Sequence, residues 1–197
     1  MGRDRDPFDR TVAYLRERLA HWRPLQGAVI SINGLAQTLD LSHTPVREAL
    51  ATLAGEGLIV RTSSGYSGTT FTPMALAAHY DLAQLLAGRA IAGVTSEAWL
   101  ASLDEAALDP AIAQLVELGG EIAVREGFRR VAAQLAPFRK AADAVVSDRD
   151  LSLARLKAAW AANDRRALGA VARAHYGRRK RAVGRILASA IGLGSDG

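Results

Sequence analysis

The sequence predicts a mainly α-helical protein in two parts: a small N-terminal domain of short helices with a small β-hairpin, and a larger all-helical C-terminal bundle. Three observations carry this prediction. Ala, Leu and Arg are abundant and aromatics make up only 6% of the 197 residues, a balance that favours helices over sheets. Apolar residues recur at spacings of three and four over most of the chain. The clear departure is the β-type and Gly/Ser/Thr-rich stretch from Leu58 to Thr72, which ends at Pro73. The expected domains are therefore 1–73 and 74–197.

The first helix begins where Asp6 can cap and Pro7 fits the first helical position, since its missing N–H has no partner to lose there. Phe8, Val12, Leu15 and Leu19 give it one apolar face, and it should end near Trp22, before Pro24. Ala28-Val29-Ile30 is too short for a helix and reads as a strand or extended arm. Ser31 should cap a short helix carrying Ile32, Leu35, Ala36 and Leu39. After the break at Asp40-Leu41, Ser42 should cap a third helix, with Pro45 tolerated in its first turn. Val46, Ala49, Leu50 and Leu53 then face a core, and Thr44, Arg47, Glu48, Ala51 and Gly55 face outward. Gly57 ends that helix, Leu58 to Arg61 is a strand, Ser63 to Gly68 a turn, and Thr69 to Thr72 the return strand. Beyond Pro73 the helical segments expected are 74–93, 94–103, 109–118, 121–146, 149–162 and 164–191. The last is capped by Asp164 and carries Leu168, Val171, Ala172, His175, Ala182, Val183, Ile186 and Leu187 as one apolar stripe.

Several classes of function are excluded by what the chain lacks. Without cysteine there is no disulfide scaffold, zinc ribbon or thiol nucleophile, and a reducing, cytoplasmic setting fits. No glycine-rich nucleotide loop, His-Glu-x-x-His helix or Gly-x-Ser-x-Gly elbow is present, and the four His residues are scattered, so no enzyme is expected. No segment supplies the roughly 20 apolar residues of a membrane span, and the N-terminus has no apolar core of a signal peptide. The net charge of +5 is a poor guide to nucleic acid, because residues 1–74 hold eight Lys and Arg against seven Asp and Glu while the remainder holds 17 against 13.

Short helices followed by a hairpin form the order of a winged helix-turn-helix, whose third helix enters a DNA major groove. The outward face of that helix suits the task. Ser42, His43 and Thr44 stand at its amino end, where hydroxyls and unpaired amides can hold phosphate, and Arg47 follows one turn later. Ala51 and Gly55 keep the surface low. The competing reading is a solvated helix face without function.

The run from Leu35 to Val60, with Ser42-His43-Thr44-Pro45-Val46-Arg47-Glu48-Ala49-Leu50 at its centre, closely resembles the signature of the GntR family of bacterial transcription regulators. That resemblance implies a homodimer on double-stranded DNA at a short inverted-repeat operator. It gives contact roles to Asn33, Ser42, His43, Thr44 and Arg47, and to Ser64, Gly65 and Tyr66 at the wing. The family usually has Arg where this chain has His43, which removes a contact worth roughly 1–3 kcal/mol.

The C-terminal part resembles, more weakly, the effector-binding and dimerisation domain of the FadR/VanR-like (FCD-type) branch, in a short and degenerate version. Many members of that branch hold a divalent metal with one Asp and three His. The matching positions here are Asp109, Ala113, Leu153 and His175, so two of four ligands are apolar and no cofactor or tightly held metal is expected. His175 reads as a core histidine satisfied by a carboxylate or carbonyl, or as an anchor of an effector pocket with Asp109 and Arg89; Arg89 also reads as a surface charge. The loss of two imidazoles points to an apolar or aromatic small-molecule effector. Arg178-Arg179-Lys180-Arg181 with Arg185 reads as a solvated helix flank. The expected function is a ligand-responsive repressor, and the alternative is a constitutive or architectural DNA-binding dimer.

Overall fold

The computed structural model describes residues 6–21, 25–95, 98, 101–103, 105–146 and 149–192. They form two compact units that divide between Phe71 and Thr72.

In the first unit α1 spans Pro7–His21, β1 Val29–Ile30, α2 Ile32–Leu39, α3 His43–Gly55, β2 Ile59–Thr62 and β3 Gly65–Gly68. Asp6 accepts from the amide of Phe8 at the start of α1, and Ser31 accepts from that of Gly34 at the start of α2. Asp40 turns the chain out of α2 in the left-handed region, at φ 52°. The core joins Leu15 of α1, Leu35 and Ala36 of α2, Val46, Leu50 and Leu53 of α3, Ile59 of β2 and Tyr66 of β3. At about 25 cal/mol per Å² of apolar surface, each large side chain buried here contributes about 1.5–3 kcal/mol.

The sheet differs from the hairpin expected from sequence. It has three antiparallel strands in the order β1-β3-β2, because Val29 and Ile30 pair with Ser67 and Tyr66. The return strand is Gly65–Gly68, the residues read as a turn, and Thr69–Thr72 form none. Thr62 pairs with Gly65, so Ser63 and Ser64 alone make the connection. Gly65 carries the positive φ of +133° that the tight reversal requires. A Cβ on Gly68 would stand 2.1 Å from Cβ of Leu25, so a glycine-rich strand is what allows the preceding segment to lie against it.

In the second unit α4 spans Pro73–Ala92, α5 Leu108–Gly119, α6 Ile122–Leu135, α7 Arg139–Val145, α8 Arg149–Ala161, α9 Arg165–Arg181 and α10 Val183–Ile191. Thr72 caps α4 by accepting from Ala75, and Asp164 caps α9 by accepting from Ala167. α4 is the central element, packed against α5, α6, α9 and α10 through Leu76, Tyr80, Ala83, Ala87, Ala90 and Ile91. Its end meets the end of α5 backbone to backbone: a Cβ on Gly119 would fall 2.2 Å from the carbonyl oxygen of Ala90.

Two expected helices are divided. The segment 121–146 breaks into α6, a 3₁₀ turn Ala136–Phe138 and α7, because Pro137 cannot donate to the helical ladder. The segment 164–191 breaks at Ala182, directly after Arg178, Arg179, Lys180 and Arg181, whose positive charges favour a helix C-terminus there. Of the expected helix 94–103, Ser96, Glu97, Trp99 and Leu100 lie outside the described residues, and 94–95 and 101–103 are not helical. Trp22 also lies outside them. Among the described residues no helix is long and apolar enough to cross a membrane.

Candidate nucleic-acid interface and buried charge cluster

α3 buries Val46, Ala49, Leu50 and Leu53 and exposes His43, Thr44, Arg47, Glu48, Ala51 and Gly55. Ser42 and Asn33 are exposed too, so the amino end of α3 and the start of α2 present polar side chains to solvent. Arg47 makes no hydrogen bond or ion pair among the described residues, leaving its guanidinium for a partner.

Ser42 occupies the N-cap position of α3 but makes no cap hydrogen bond, contrary to expectation. Ser31, Thr72 and Asp164 each cap by accepting from the third residue of their helix. In α3 that third residue is Pro45, which has no N–H to donate. The Ser42 hydroxyl is thereby released from the structural task its position normally sets.

The wing is the β2–β3 connection. Ile59 is buried whereas Val60, Arg61 and Thr62 are all exposed, so β2 loses its alternation as it leaves the core. Ser64 is exposed and Gly65 half-buried at the tip. Tyr66, expected as a wing contact, packs into the core at 9% exposure instead, because the alternation of β3 turns Tyr66 and Gly68 inward. Arg61, not singled out from the sequence, is exposed beside that turn. A lone cation inside a β-type run, next to the turn, was the available signal.

In the helical unit, Asp109 at the start of α5 and His175 in the middle of α9 come together, with His175 Nε2 donating to Asp109 Oδ1 at 2.9 Å. Arg179, one helical turn beyond His175, donates from Nη1 to Asp109 Oδ1 at 2.9 Å and from Nη2 to Asp109 Oδ2 at 3.0 Å. Its Nη2 also donates to Asp143 Oδ1 on α7 at 2.8 Å. Arg139 Nε stands 3.7 Å from Asp109 Oδ2. Arg179 is 6% exposed, so its assignment to a solvated flank is corrected: spacings of three and four from Leu168 through Ala172 and His175 to Arg179 continue the buried stripe of α9. Lys180, by contrast, is at the surface, donating to Asp81.

Burial opposes the Asp109 charge, but the hydrogen bond from His175 and the Arg179 guanidinium outweigh it and hold the carboxyl well below its ordinary range. Burial lowers the His175 pKa, only partly offset by Asp109, so the ring is neutral at pH 7 with its proton on Nε2. Burial likewise pushes the Tyr80 hydroxyl up to about 12. Beside this cluster lies a cavity of about 100 Å³, lined on its apolar side by Ala113, Phe128 and Leu135 and on its polar side by Asp109, Arg139 and Arg179. Arg89 does not line it; on the exposed face of α4 it donates to Glu121 at 2.5 Å.

A helix offering its amino end and an arginine, followed by a β-wing, is the arrangement of a winged helix-turn-helix domain, here joined to a separate helical unit. Residues 7–69 match the family described as "Bacterial regulatory proteins, gntR family", a match that covers the first unit and leaves the helical unit outside it. No curated protein matches its sequence. Among solved structures it is similar to E. coli McbR/YncC, with a TM-score of 0.66 at 16% identity, covering 91% of this chain and 97% of that one. A candidate transcriptional regulator GntR from Rhodococcus sp. RHA1 gives a TM-score of 0.65 at 17% identity, covering 89% and 96%. At these identities the likeness concerns the fold.

Proposed function

We propose that the protein is a ligand-responsive repressor of the FadR/VanR-like branch that binds a short inverted-repeat operator as a homodimer in the bacterial cytoplasm. The observation that carries the DNA reading is the exposed end of α3, where Ser42, His43, Thr44 and Arg47, which has no partner among the described residues, stand together. Asn33, Ser64 and Gly65 support it from α2 and the wing, and Arg61 adds a cation there. Arg47 reads a base edge or phosphate, Ser42 and Thr44 hold phosphate, and the wing follows the neighbouring groove. Pairing is supported by α4, where Met74, Ala78, Leu82 and Leu85 form an exposed apolar stripe at spacings of four, four and three. Selection of binding sequences from a random duplex pool tests the reading: an inverted repeat is expected, and recovery of sequences without common features would overturn it.

Sensing is supported by the cavity beside Asp109, Arg139, Tyr176 and Arg179. Its size admits an apolar or aromatic molecule of few heavy atoms, and anything larger requires the helices to part. A second reading, a constitutive DNA-binding dimer, is favoured by the same smallness, since ligand pockets usually measure about 300–1,000 Å³. Thermal shift with small aromatics, acyl compounds and carboxylates, paired with operator gel shifts, separates the two. Stabilisation with altered DNA affinity supports sensing, and no response from any class supports the constitutive dimer.

A further inference from the structure

We propose that Arg179 is a built-in cation that takes the place of a divalent metal in the helical unit, so that this unit folds and works without one. The resemblance drawn from the sequence implies a metal held by residues at 109, 113, 153 and 175, and the donor set does not fit it. Ala113 and Leu153 offer no lone pair. Both oxygens of Asp109 are engaged by the Arg179 guanidinium at 2.9 and 3.0 Å, and Oδ1 also accepts from His175. Because Nε2 of His175 carries the proton given to Asp109, its lone pair is not directed at that carboxylate. No three His, Asp or Glu side chains converge as metal ligands among the described residues.

The guanidinium instead does what the ion would do mechanically. It ties α5 through Asp109, α7 through Asp143 and α9 through its own backbone, with charge-assisted bonds whose planar fork fixes direction as well as distance. A dication cannot enter beside it without facing that fixed positive charge at close range.

The test uses the untagged full chain, with metal content and melting temperature as readouts. Wild-type protein is expected to purify without stoichiometric zinc, nickel or manganese and to melt within about 1 °C of the same temperature in EDTA or in a modest excess of zinc. Near one equivalent of metal, removed by chelator with a fall in melting temperature, would overturn the proposal. Position 113 lies one turn from Asp109 on α5 and lines the same cavity, so Ala113→His adds an imidazole where the metal would sit. Ala113→His alone is expected to gain no stabilisation from zinc, because the guanidinium remains. Ala113→His combined with Arg179→Ala is expected to bind about one zinc and to rise by about 5 °C or more on adding it. Should the double variant unfold without metal, recovery on refolding with zinc supports the proposal and failure to recover opposes it. Equal zinc binding by the single and double variants, or none by the double variant, would also overturn it.

Discussion

Replacing Arg179 with Met removes one guanidinium and keeps most of the aliphatic volume. The side chain is 7% exposed, and the two carboxylates it serves are 17% and 20% exposed, so neither regains full hydration when the cation is lost. Three charge-assisted hydrogen bonds disappear together. Breaking a buried pair by deleting one partner costs about 3–5 kcal/mol, most of it the penalty of the charge left behind. For a domain of this size that corresponds to a fall of roughly 10–15 °C in melting temperature. Circular dichroism of the full chain during thermal and urea unfolding measures it. The pH dependence gives a second handle. Without the guanidinium, burial of Asp109 is less opposed, its pKa rises, and the carboxyl can become neutral; the deficit against wild type therefore shrinks as pH is lowered toward 5. Lys180→Met, which breaks a solvent-exposed pair on the same helix, provides the comparison and is expected to cost less than about 1 kcal/mol. A loss for Arg179→Met no larger than that, or a deficit that grows on acidification, would refute the reasoning.

Other predictions follow from the same geometry. Arg47→Ala is expected to weaken binding to the selected operator by about 1–3 kcal/mol, roughly 5- to 150-fold, and to flatten the salt dependence if the contact is to phosphate; gel shifts across a salt series read both. Ser42→Ala should leave stability within about 0.5 kcal/mol while reducing DNA affinity, whereas Ser31→Ala, which deletes a real cap bond, should cost about 1 kcal/mol in urea unfolding. Leu85→Glu, at a position 69% exposed on the α4 stripe, is expected to weaken self-association about tenfold or more in sedimentation equilibrium without lowering the melting temperature of the monomer. Wild-type stability should decline on acidification in two stages. Below about pH 6.5 the unfolded chain protonates His175 while the folded chain resists, and below about pH 3.8 the same holds for Asp109, whose contribution is present above that pH and lost on going down toward its depressed folded value. Urea midpoints between pH 8 and 3 check the order.

Helix starts were legible where a side-chain oxygen and an amide three residues on suffice, as at Ser31 and Asp164. The same rule misled at Ser42 because Pro45 removes the amide, a detail present in the sequence. The apolar face of α3, and with it the outward set that includes Arg47, followed from spacing alone. The strand Gly65–Gly68 was hidden because its composition is that of a turn; what makes it a strand is pairing on both sides, with β1 and β2. Residue spacing also contained Arg179, four after His175, but a run of four cations reads as solvated until two carboxylates from 36 and 70 residues away are seen to converge on it. Long-range convergence of that kind has no local signature.

The central packing of α4 on α9 bears on how the chain emerges from the ribosome. All the strands and helices of the DNA-reading unit have been made by residue 71, whereas α5 and α7 receive their shared counter-charge only when residue 179 is added. At about 5–20 residues per second, that interval lasts roughly 5–20 s. For that time a reading head with all its elements made is tethered to a half-made bundle in which α5 and α7 still lack Arg179, so the head is complete as a single copy before the element expected to pair it with a second one has closed.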